Sequence, residues 1–247
     1  MSAPSPTPFA PHIVRFLGAT PETREVSTFR FAPEKGDFEW RPGQFLEMVL
    51  PEVQDPRGST RLFTISSSPT EKGSLTITTR SGPSPFKTRL HQLRAGDTVE
   101  IRAPDGDFVL EPGRPALMLA GGIGVTPFRS MLRYAADVGL GTPCVLVYSS
   151  RTPEDIVFRR ELDELARRNR ALKIVHTITR PAESKEPWTG ATGRIVSALL
   201  RKAMENVHAP IVYIAGPPGL VREHRQVVVD EFHLPESDVR SDEFDGY

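Results

Sequence analysis

The pattern of secondary structure that the sequence predicts changes abruptly at residues 111–115, and no other feature constrains the fold as strongly. Before this point the chain shows only short segments rich in β-branched and aromatic residues, separated by turn sequences. After it, apolar strands alternate with helical segments, which is typical of βαβ units and a parallel sheet. The sequence therefore predicts two domains, at residues 11–112 and 113–247, following a Pro-rich tail at residues 1–10.

The first half contains only candidate strands and one short helix. Turn sequences such as Pro42-Gly43, Lys72-Gly73 and Asp105-Gly106 separate the strands, and glycine permits the backbone angles that tight turns need. Short strands at this spacing indicate a closed or nearly closed antiparallel β-barrel. The strands are HIVRFLG, VSTFRFA, FLEMVL, RLFTISS, LTITTR and DTVEIRAP, and the helix is SPFKTRLHQL.

The second half has the pattern of a doubly wound α/β domain. Its candidate strands are the apolar runs ALMLA, VLVYS, LKIVHTI and IVYIAG. Between the second and third runs, Phe158, Leu162 and Leu165 repeat at helical spacing. The sequence TPED predicts that this helix starts with Thr152 as its N-cap.

Charge and cysteine content exclude several classes of protein. The 31 basic and 31 acidic residues cancel, so no net field favours nucleic acid or an acidic membrane surface. One cysteine, Cys144, rules out an internal disulfide or iron–sulfur cluster, and the six histidines lack metal-ligand spacing. The sequence shows no signal peptide and no apolar run long enough to cross a membrane, so we expect a cytoplasmic protein without a metal site.

Two strand ends in the second half are rich in glycine and proline. In LMLAGGIGVTPFRSML, Gly122 and Gly124 fit the dinucleotide-binding pattern G-x-G-x-x-G, but Pro127 takes the third glycine position. VYIAGPPGLVREH has the same strand–turn–helix form, and a helix start after glycine favours a bound phosphate. An ordinary strand-to-helix turn remains the alternative for each. The candidate nucleotide-binding residues are Gly121, Gly122, Gly124, Val125, Thr126, Pro127, Ala215, Gly216, Pro217 and Pro218.

The strand RLFTISS carries an arginine and several hydroxyl groups, more polarity than packing between strands requires. With GGIGVTPFRSML and AGPPGLV following in that order, the chain resembles the ferredoxin–NADP reductase family of flavoprotein reductases, in the stand-alone form without an iron–sulfur domain. The resemblance covers nearly the whole chain. It implies an antiparallel Greek-key β-barrel that binds the flavin, followed by a domain that binds NAD(P)H.

The resemblance places the flavin along the Arg-x-[Tyr/Phe]-[Ser/Thr] strand. Arg61 would offer a fork of donors to the flavin pyrophosphate, and Phe63 a flat face to the flavin. Thr64 would place a hydroxyl and an N–H near flavin N5. Because the family commonly has Tyr where Phe63 stands, we expect no ribityl hydrogen bond from this position. Ser66 and Ser67 are further polar candidates nearby, with a solvated strand serine as the alternative for one of them.

A second flavin segment is implied by SGPSPFKTRL. In the family a small polar residue and the start of a short helix meet the pyrophosphate, and the helix dipole favours an anion there. The presence of this segment favours FAD over FMN. A solvent-facing lysine is the alternative for Lys87. The candidates are Ser84, Phe86, Lys87 and Thr88.

The prediction of which nicotinamide coenzyme binds depends on Ser150 and Arg151, at the end of the second α/β strand. Arginine at this position favours NADPH, although NADH stays open. The nicotinamide would lie between Thr126 and the turn at residues 215–218, with its C4 ~3–3.5 Å from flavin N5. Many relatives carry Cys where Ala215 stands. Electrons would then pass singly to a separate ferredoxin, flavodoxin or oxygenase component.

The last residues, RSDEFDGY, supply the remaining candidates. In some relatives a terminal aromatic stacks on the flavin and a nearby Glu relays protons to N5. Glu243 is therefore a catalytic candidate beside Thr64, and Phe244 and Tyr247 are candidate flavin contacts. An acidic, solvated tail is the alternative. For the whole chain, a non-catalytic nucleotide sensor and an electron-transfer subunit of a larger complex are the competing functions.

Overall fold

The computed structural model of the protein describes residues 11–36 and 38–244. The chain divides into two compact units, Met1–Val109 and Leu110–Tyr247. The predicted tail at residues 1–10 and the candidate Tyr247 lie outside the described residues.

The first unit is an antiparallel sheet of six strands in the order β4-β3-β6-β1-β2-β5. An isolated bridge between Ile65 and Ile77 links the two edges, so the sheet curls into a barrel. Every strand and the helix predicted for this half are confirmed. The elements are β1 Pro11–Pro21, β2 Val26–Pro33, β3 Phe45–Val49, β4 Thr60–Thr64, β5 Leu75–Arg80, α1 Pro85–His91 and β6 Thr98–Asp105.

The barrel forms because alternate strand residues are apolar and point inward. Val14 and Phe16 on β1 and Phe29 and Phe31 on β2 are among the buried residues of this core. Helix α1 contributes Phe86 and Leu90 to the same core. The helix is therefore anchored to the barrel beside β4.

The second unit is a parallel sheet of six strands in the order β10-β9-β8-β7-β11-β12. The four predicted strands and the α/β class are confirmed. The elements are β7 Ala116–Gly121, α2 Thr126–Asp137, β8 Cys144–Ser150, α3 Arg159–Arg168, β9 Leu172–Ile178, β10 Ala191–Thr192, α4 Ser197–Ala203, β11 Ile211–Gly216, α5 Pro218–Asp230 and β12 Val239–Glu243.

The strand order reverses between β7 and β11. From β7 the chain builds outward through β8, β9 and β10, and it then returns to place β11 on the other side of β7. In doubly wound sheets, ligands bind beyond the carboxyl ends of the strands at such a switch point. The two glycine-rich sequences follow β7 and β11, so both lie at this point.

Two parts of the second unit differ from the prediction. TPED does not start the long helix: Pro153–Asp155 forms a separate 3-10 turn, Phe158 takes a left-handed conformation with φ of 60°, and α3 begins at Arg159. The capping residues Thr152 and Asp155 therefore close a single turn. In addition, Val239–Glu243, which includes the start of the acidic tail, forms strand β12 and pairs in parallel with β11.

Candidate functional site

The turns that follow β7 and β11 are in direct backbone contact. A Cβ atom on Gly124 would lie 2.3 Å from the carbonyl oxygen of Ala215 and 2.6 Å from the nitrogen of Gly216. A Cβ on Gly121 would lie 2.5 Å from the Leu220 side chain at the start of α5. At Gly124 only glycine permits this approach, because the neighbouring atoms belong to the backbone and other Cβ atoms essentially never come so close. The structure thus brings the two predicted nucleotide motifs together.

The turn after β7 is held by its own hydrogen bonds. Gly122 has a φ of 55°, which glycine adopts readily, and its carbonyl accepts a hydrogen bond of 2.9 Å from Tyr148 Oη. Thr126 is buried, and its hydroxyl donates to the Ile123 carbonyl at 3.1 Å. Val125 is also buried, and Pro127 lies in the first turn of α2. The hydroxyl of Thr126 is therefore used inside the turn.

The turn after β11 is joined by the C-terminal strand. Pro218 begins α5, as predicted, with Pro217 as its N-cap. On β12, Asp242 pairs with Ala215 and Glu243 pairs with Gly216, and the Phe244 N–H donates to the Gly216 carbonyl at 3.0 Å. The C-terminal candidates Glu243 and Phe244 are thus placed beside the β11 turn.

Of the two acidic residues on β12, Asp242 is the more covered and Glu243 is exposed. Burial raises the pKa of Asp242 from 3.8 to about 6. The sequence predicts a catalytic role for Glu243 but none for Asp242. The alternation of strand side chains would have separated the two, but only after the acidic tail was recognised as a strand.

The end of β8 presents a serine and an arginine. Ser150 is only 5% exposed, and its Oγ has no hydrogen-bond partner within the described part of the chain. Arg151 is exposed. A buried hydroxyl without a partner is unusual in a folded protein.

The two carboxylates that follow Arg151 are occupied by local structure. Asp155 accepts from the backbone N–H and the hydroxyl of Thr152 at 3.3 and 3.1 Å. Glu154 accepts from Ser184 Oγ and the Lys185 N–H at 2.9 and 2.8 Å. Hydrogen bonds from its own backbone N–H and from that of Lys185 lower the pKa of Glu154 to about 2. Both carboxylates therefore already accept hydrogen bonds that hold the chain after β8.

In the first unit, Arg61 on β4 is held by the loop that precedes it. Its Nη2 lies 2.8 Å from Asp55 Oδ1, and the Asp55 side chain is only 2% exposed. Its Nη1 donates to the carbonyls of Arg57, Gly58 and Thr60 at 3.1, 2.9 and 2.6 Å. The guanidinium also lies over the Phe86 ring, 5.1 Å from its centroid.

Asp55 joins its own loop to the two segments that carry predicted flavin residues, β4 and the start of α1. It accepts from the Arg57 N–H at 2.9 Å and the Phe86 N–H at 3.3 Å, besides its ion pair with Arg61. The Arg57 hydrogen bond is the largest cause of a lowered pKa for its carboxyl. The sequence does not predict Asp55 as a site residue. Its only local signal is the turn sequence DPRG, which begins six residues before Arg61.

The remaining β4 candidates lie at different depths. Phe63 packs partly buried against the barrel core, 6.1 Å from the Phe86 ring, and Thr64 is buried. Ser66 is fully buried, and its hydroxyl lies 2.9 Å from those of Thr76 and Thr78. The alternative of a solvated strand serine is therefore wrong: the hydroxyl ties the end of β4 to β5.

The start of α1 uses its backbone donors internally. Ser84 is the N-cap and accepts from the Lys87 N–H at 3.2 Å, while the Phe86 N–H goes to Asp55. Phe86 itself is fully buried, and Thr88 is exposed. The free N–H groups that the predicted anion site at this helix start required are thus already paired.

A cluster of cations beside α1 fits a diphosphate better than the helix start does. Lys87 is half-buried, and its pKa is lowered by burial and then by the nearby charges of Arg80, Arg57 and Arg61. Asp55 pairs with Arg61, and Glu25 Oε2 lies 3.7 Å from Arg80 Nη1, so the named side chains beside β4 carry a net positive charge. This patch suits the pyrophosphate of a flavin dinucleotide.

The described residues show neither a candidate metal site nor a helix that could span a membrane. Within residues 11–36 and 38–244, no three His, Cys, Asp or Glu side chains gather as a metal site. None of the helices in that part of the chain is both long and apolar enough to span a membrane. Cys144 is buried, which raises the pKa of its thiol to about 12 and leaves it unreactive at neutral pH.

Comparison with known proteins assigns both units. Residues 18–110 match the oxidoreductase FAD-binding domain, and residues 118–226 match the oxidoreductase NAD-binding domain. The protein is therefore an oxidoreductase with one flavin-binding and one nicotinamide-nucleotide-binding unit. Within that class, the chain belongs to the ferredoxin–NADP reductase family.

A relative that matches over its full length agrees with this assignment. The chain is 32% identical to ferredoxin–NADP reductase B of Sorangium cellulosum, over 96% of this chain and 98% of that protein. It is 35% identical to the glycine betaine monooxygenase reductase subunit of Chromohalobacter salexigens, over 88% of this chain but only 60% of that protein. The cytochrome b5 reductase domain of Ulva prolifera nitrate reductase has the same fold, with a TM-score of 0.81 at 20% identity, covering 98% of this chain and 100% of that domain.

Proposed function

We propose that this protein is an FAD-dependent reductase that accepts hydride from NADPH and delivers electrons to a separate carrier protein. The observation that carries the proposal is the backbone contact between Gly124 and Ala215–Gly216 at the switch point of the second unit, in a chain whose first unit is an FAD-binding domain. A bound flavin supplies the conversion of a two-electron hydride into single electrons.

In the first unit, Arg61 and Lys87 would bind the flavin pyrophosphate within the cationic patch. Phe63 would contact the isoalloxazine or ribityl group with its ring, and Thr64 would place its backbone N–H near N5. We assign Ser84 and Phe86 a supporting role, since Ser84 caps α1 and Phe86 lies beneath the Arg61 guanidinium.

In the second unit, the turn at residues 121–127 would bind the coenzyme pyrophosphate and the turn at residues 215–218 the nicotinamide end. Because the turns are held by backbone packing and internal hydrogen bonds, they need little rearrangement to bind. No side chain has to act as a nucleophile. Phe244 remains a candidate flavin contact and Glu243 a candidate proton relay.

NADPH is favoured over NADH at the end of β8. Arg151 is exposed there, and Ser150 Oγ is a buried donor without a partner among the described residues. A site selective for NAD commonly uses an Asp or Glu for the ribose hydroxyls, but Glu154 and Asp155 already accept hydrogen bonds from neighbouring residues. These features support recognition of a 2′-phosphate.

The electron acceptor is proposed from the relatives. Among them are a ferredoxin–NADP reductase and reductase subunits of monooxygenases. The chain spans about 60% of the length of several of these proteins. We propose a separate ferredoxin, flavodoxin or oxygenase component as acceptor, and a location in the reducing cytoplasm, where a buried free cysteine stays reduced.

The test is an anaerobic titration of the purified protein with NADPH after reconstitution with FAD. We expect a yellow protein. Its flavin absorbance, at about 450 nm for an oxidised flavin, should bleach stoichiometrically with NADPH. NADH should bleach it more slowly at equal concentration. Binding of NADPH without bleaching would favour a non-catalytic sensor, and failure to bind any flavin would contradict the proposal.

A further inference from the structure

Tyr148, near the end of β8, joins two turns through its hydroxyl group. The residue is fully buried, and its Oη donates to the Gly122 carbonyl at 2.9 Å. The same oxygen accepts from the Val157 N–H at 3.3 Å. A phenolic hydroxyl has a single proton to donate, so Tyr148 commits this proton to the turn after β7.

Gly122 is the residue at which a ligand can reach that turn. Within residues 121–128 it is half-buried, whereas its neighbours in this stretch are buried. Its φ of 55° lies in the left-handed region. Because glycine has no Cβ to restrict it, the conformation of Gly122 leaves the direction of the Gly122–Ile123 peptide to be set by contacts.

The direction of the Gly122 carbonyl decides how the turn meets an anion. In a trans peptide the C=O and the following N–H point in opposite directions. A carbonyl oxygen facing the ligand would repel a phosphate, whereas an N–H in that position would bind it. The Tyr148 hydroxyl holds the carbonyl towards the buried side, which turns the N–H of Ile123 the other way.

We propose that Tyr148 is a positioning residue that orients the Gly122–Ile123 peptide for the coenzyme diphosphate. The inference rests on the proposed function, in which the turn at residues 121–127 binds this diphosphate. Being fully buried, Tyr148 acts through the peptide rather than by contact with the ligand. Its own position is set by the hydrogen bond from Val157 and by the His176 ring, whose centroid lies 5.8 Å from that of Tyr148.

The experiment compares Tyr148→Phe with the wild type in the FAD-loaded protein. The substitution removes a single oxygen and keeps the buried ring. Tyr213→Phe is the matched control, because Tyr213 is also fully buried and its hydroxyl accepts from the Glu111 N–H at 3.1 Å, before the start of β7. Calorimetry measures binding of 2′,5′-ADP, which carries the adenosine end of NADPH with its 5′-phosphate, and of 2′-AMP, which lacks that phosphate.

We expect Tyr148→Phe to weaken 2′,5′-ADP binding about tenfold, the effect of one misdirected charge-assisted hydrogen bond. Binding of 2′-AMP and of FAD should change less than about twofold by the same reasoning. Tyr213→Phe should leave these affinities unchanged. In turnover, KM for NADPH should rise while kcat stays near the wild-type value, as expected when binding shared by the ground state and the transition state is lost.

A measurement on the wild type keeps the inference testable if Tyr148→Phe folds poorly. In an NMR titration, the amide resonance of Ile123 should shift with 2′,5′-ADP and shift less with 2′-AMP. A resonance that neither ligand moves would contradict the inference.

Two results with the folded variant would overturn the inference and leave the proposed function standing. One is an unchanged affinity of Tyr148→Phe for 2′,5′-ADP. The other is an equal loss for 2′,5′-ADP and 2′-AMP, which would mean that Tyr148 only stabilises the fold. A wild-type protein that binds neither 2′,5′-ADP nor NADPH would instead contradict the proposed function itself.

Discussion

The two candidate binding regions are built in different ways. The nucleotide region of the second unit consists mainly of backbone: glycines at positions 121 and 124 let one turn press against another, and hydrogen bonds inside the turn hold it. The flavin region of the first unit consists of side chains: Asp55 holds Arg61, and Lys87 lies near the charges of Arg61 and two further arginines.

This difference determines how each region should respond to mutation. A backbone contact tolerates no added atom, so a methyl group at Gly124 is a severe change. A network of charged side chains has several members, so the removal of one leaves others to share the ligand. The largest effect is therefore expected at a backbone contact, and a smaller one at a charged side chain.

Gly124→Ala should cost about 3 kcal/mol or more of the unfolding free energy of the second unit, since its Cβ would overlap backbone atoms that cannot move aside. Coenzyme binding should be lost with it. Chemical denaturation and 2′,5′-ADP titration measure the two effects. Gly141→Ala is the control, because a Cβ there meets nothing within 4 Å. Equal behaviour of the two variants would contradict the close contact.

Asp242 should make stability depend on pH. Its pKa of about 6 lies above the ordinary 3.8, so folding favours the protonated carboxyl. The stabilisation relative to Asp242→Asn is complete below pH 4 and is lost as the pH rises through 6. The full difference is about 3 kcal/mol at most. Urea unfolding of both proteins between pH 4 and 8 measures it, and parallel profiles would show that Asp242 titrates normally.

Asp55→Ala should weaken FAD binding about tenfold, because Arg61 and the start of α1 lose their common acceptor. The dissociation constant follows from flavin fluorescence during titration. Asp107→Ala is the control, since its fully exposed carboxylate lies 3.9 Å from Arg41. Tighter binding of FAD to Asp55→Ala would mean that Asp55 competes with the pyrophosphate for Arg61.

The same contrast explains how far the sequence alone could lead. Strands with alternating apolar residues and turns marked by glycine are local patterns, and they predicted both units and the two nucleotide turns. Asp55 acts on residues six and thirty-one positions away, and no local pattern reports such contacts. Asp242 became recognisable only once the acidic tail was seen to pair with β11. The TPED sequence was misassigned because a capping box closes a single 3-10 turn as well as it starts a long helix.

The most direct test of this account is a crossed titration of Gly124→Ala and Asp55→Ala with FAD and with 2′,5′-ADP. If the flavin region and the coenzyme region bind their ligands independently, Gly124→Ala will bind FAD like the wild type and lose 2′,5′-ADP. Asp55→Ala will do the reverse, keeping 2′,5′-ADP and binding FAD more weakly. Loss of both ligands in both variants would contradict the account.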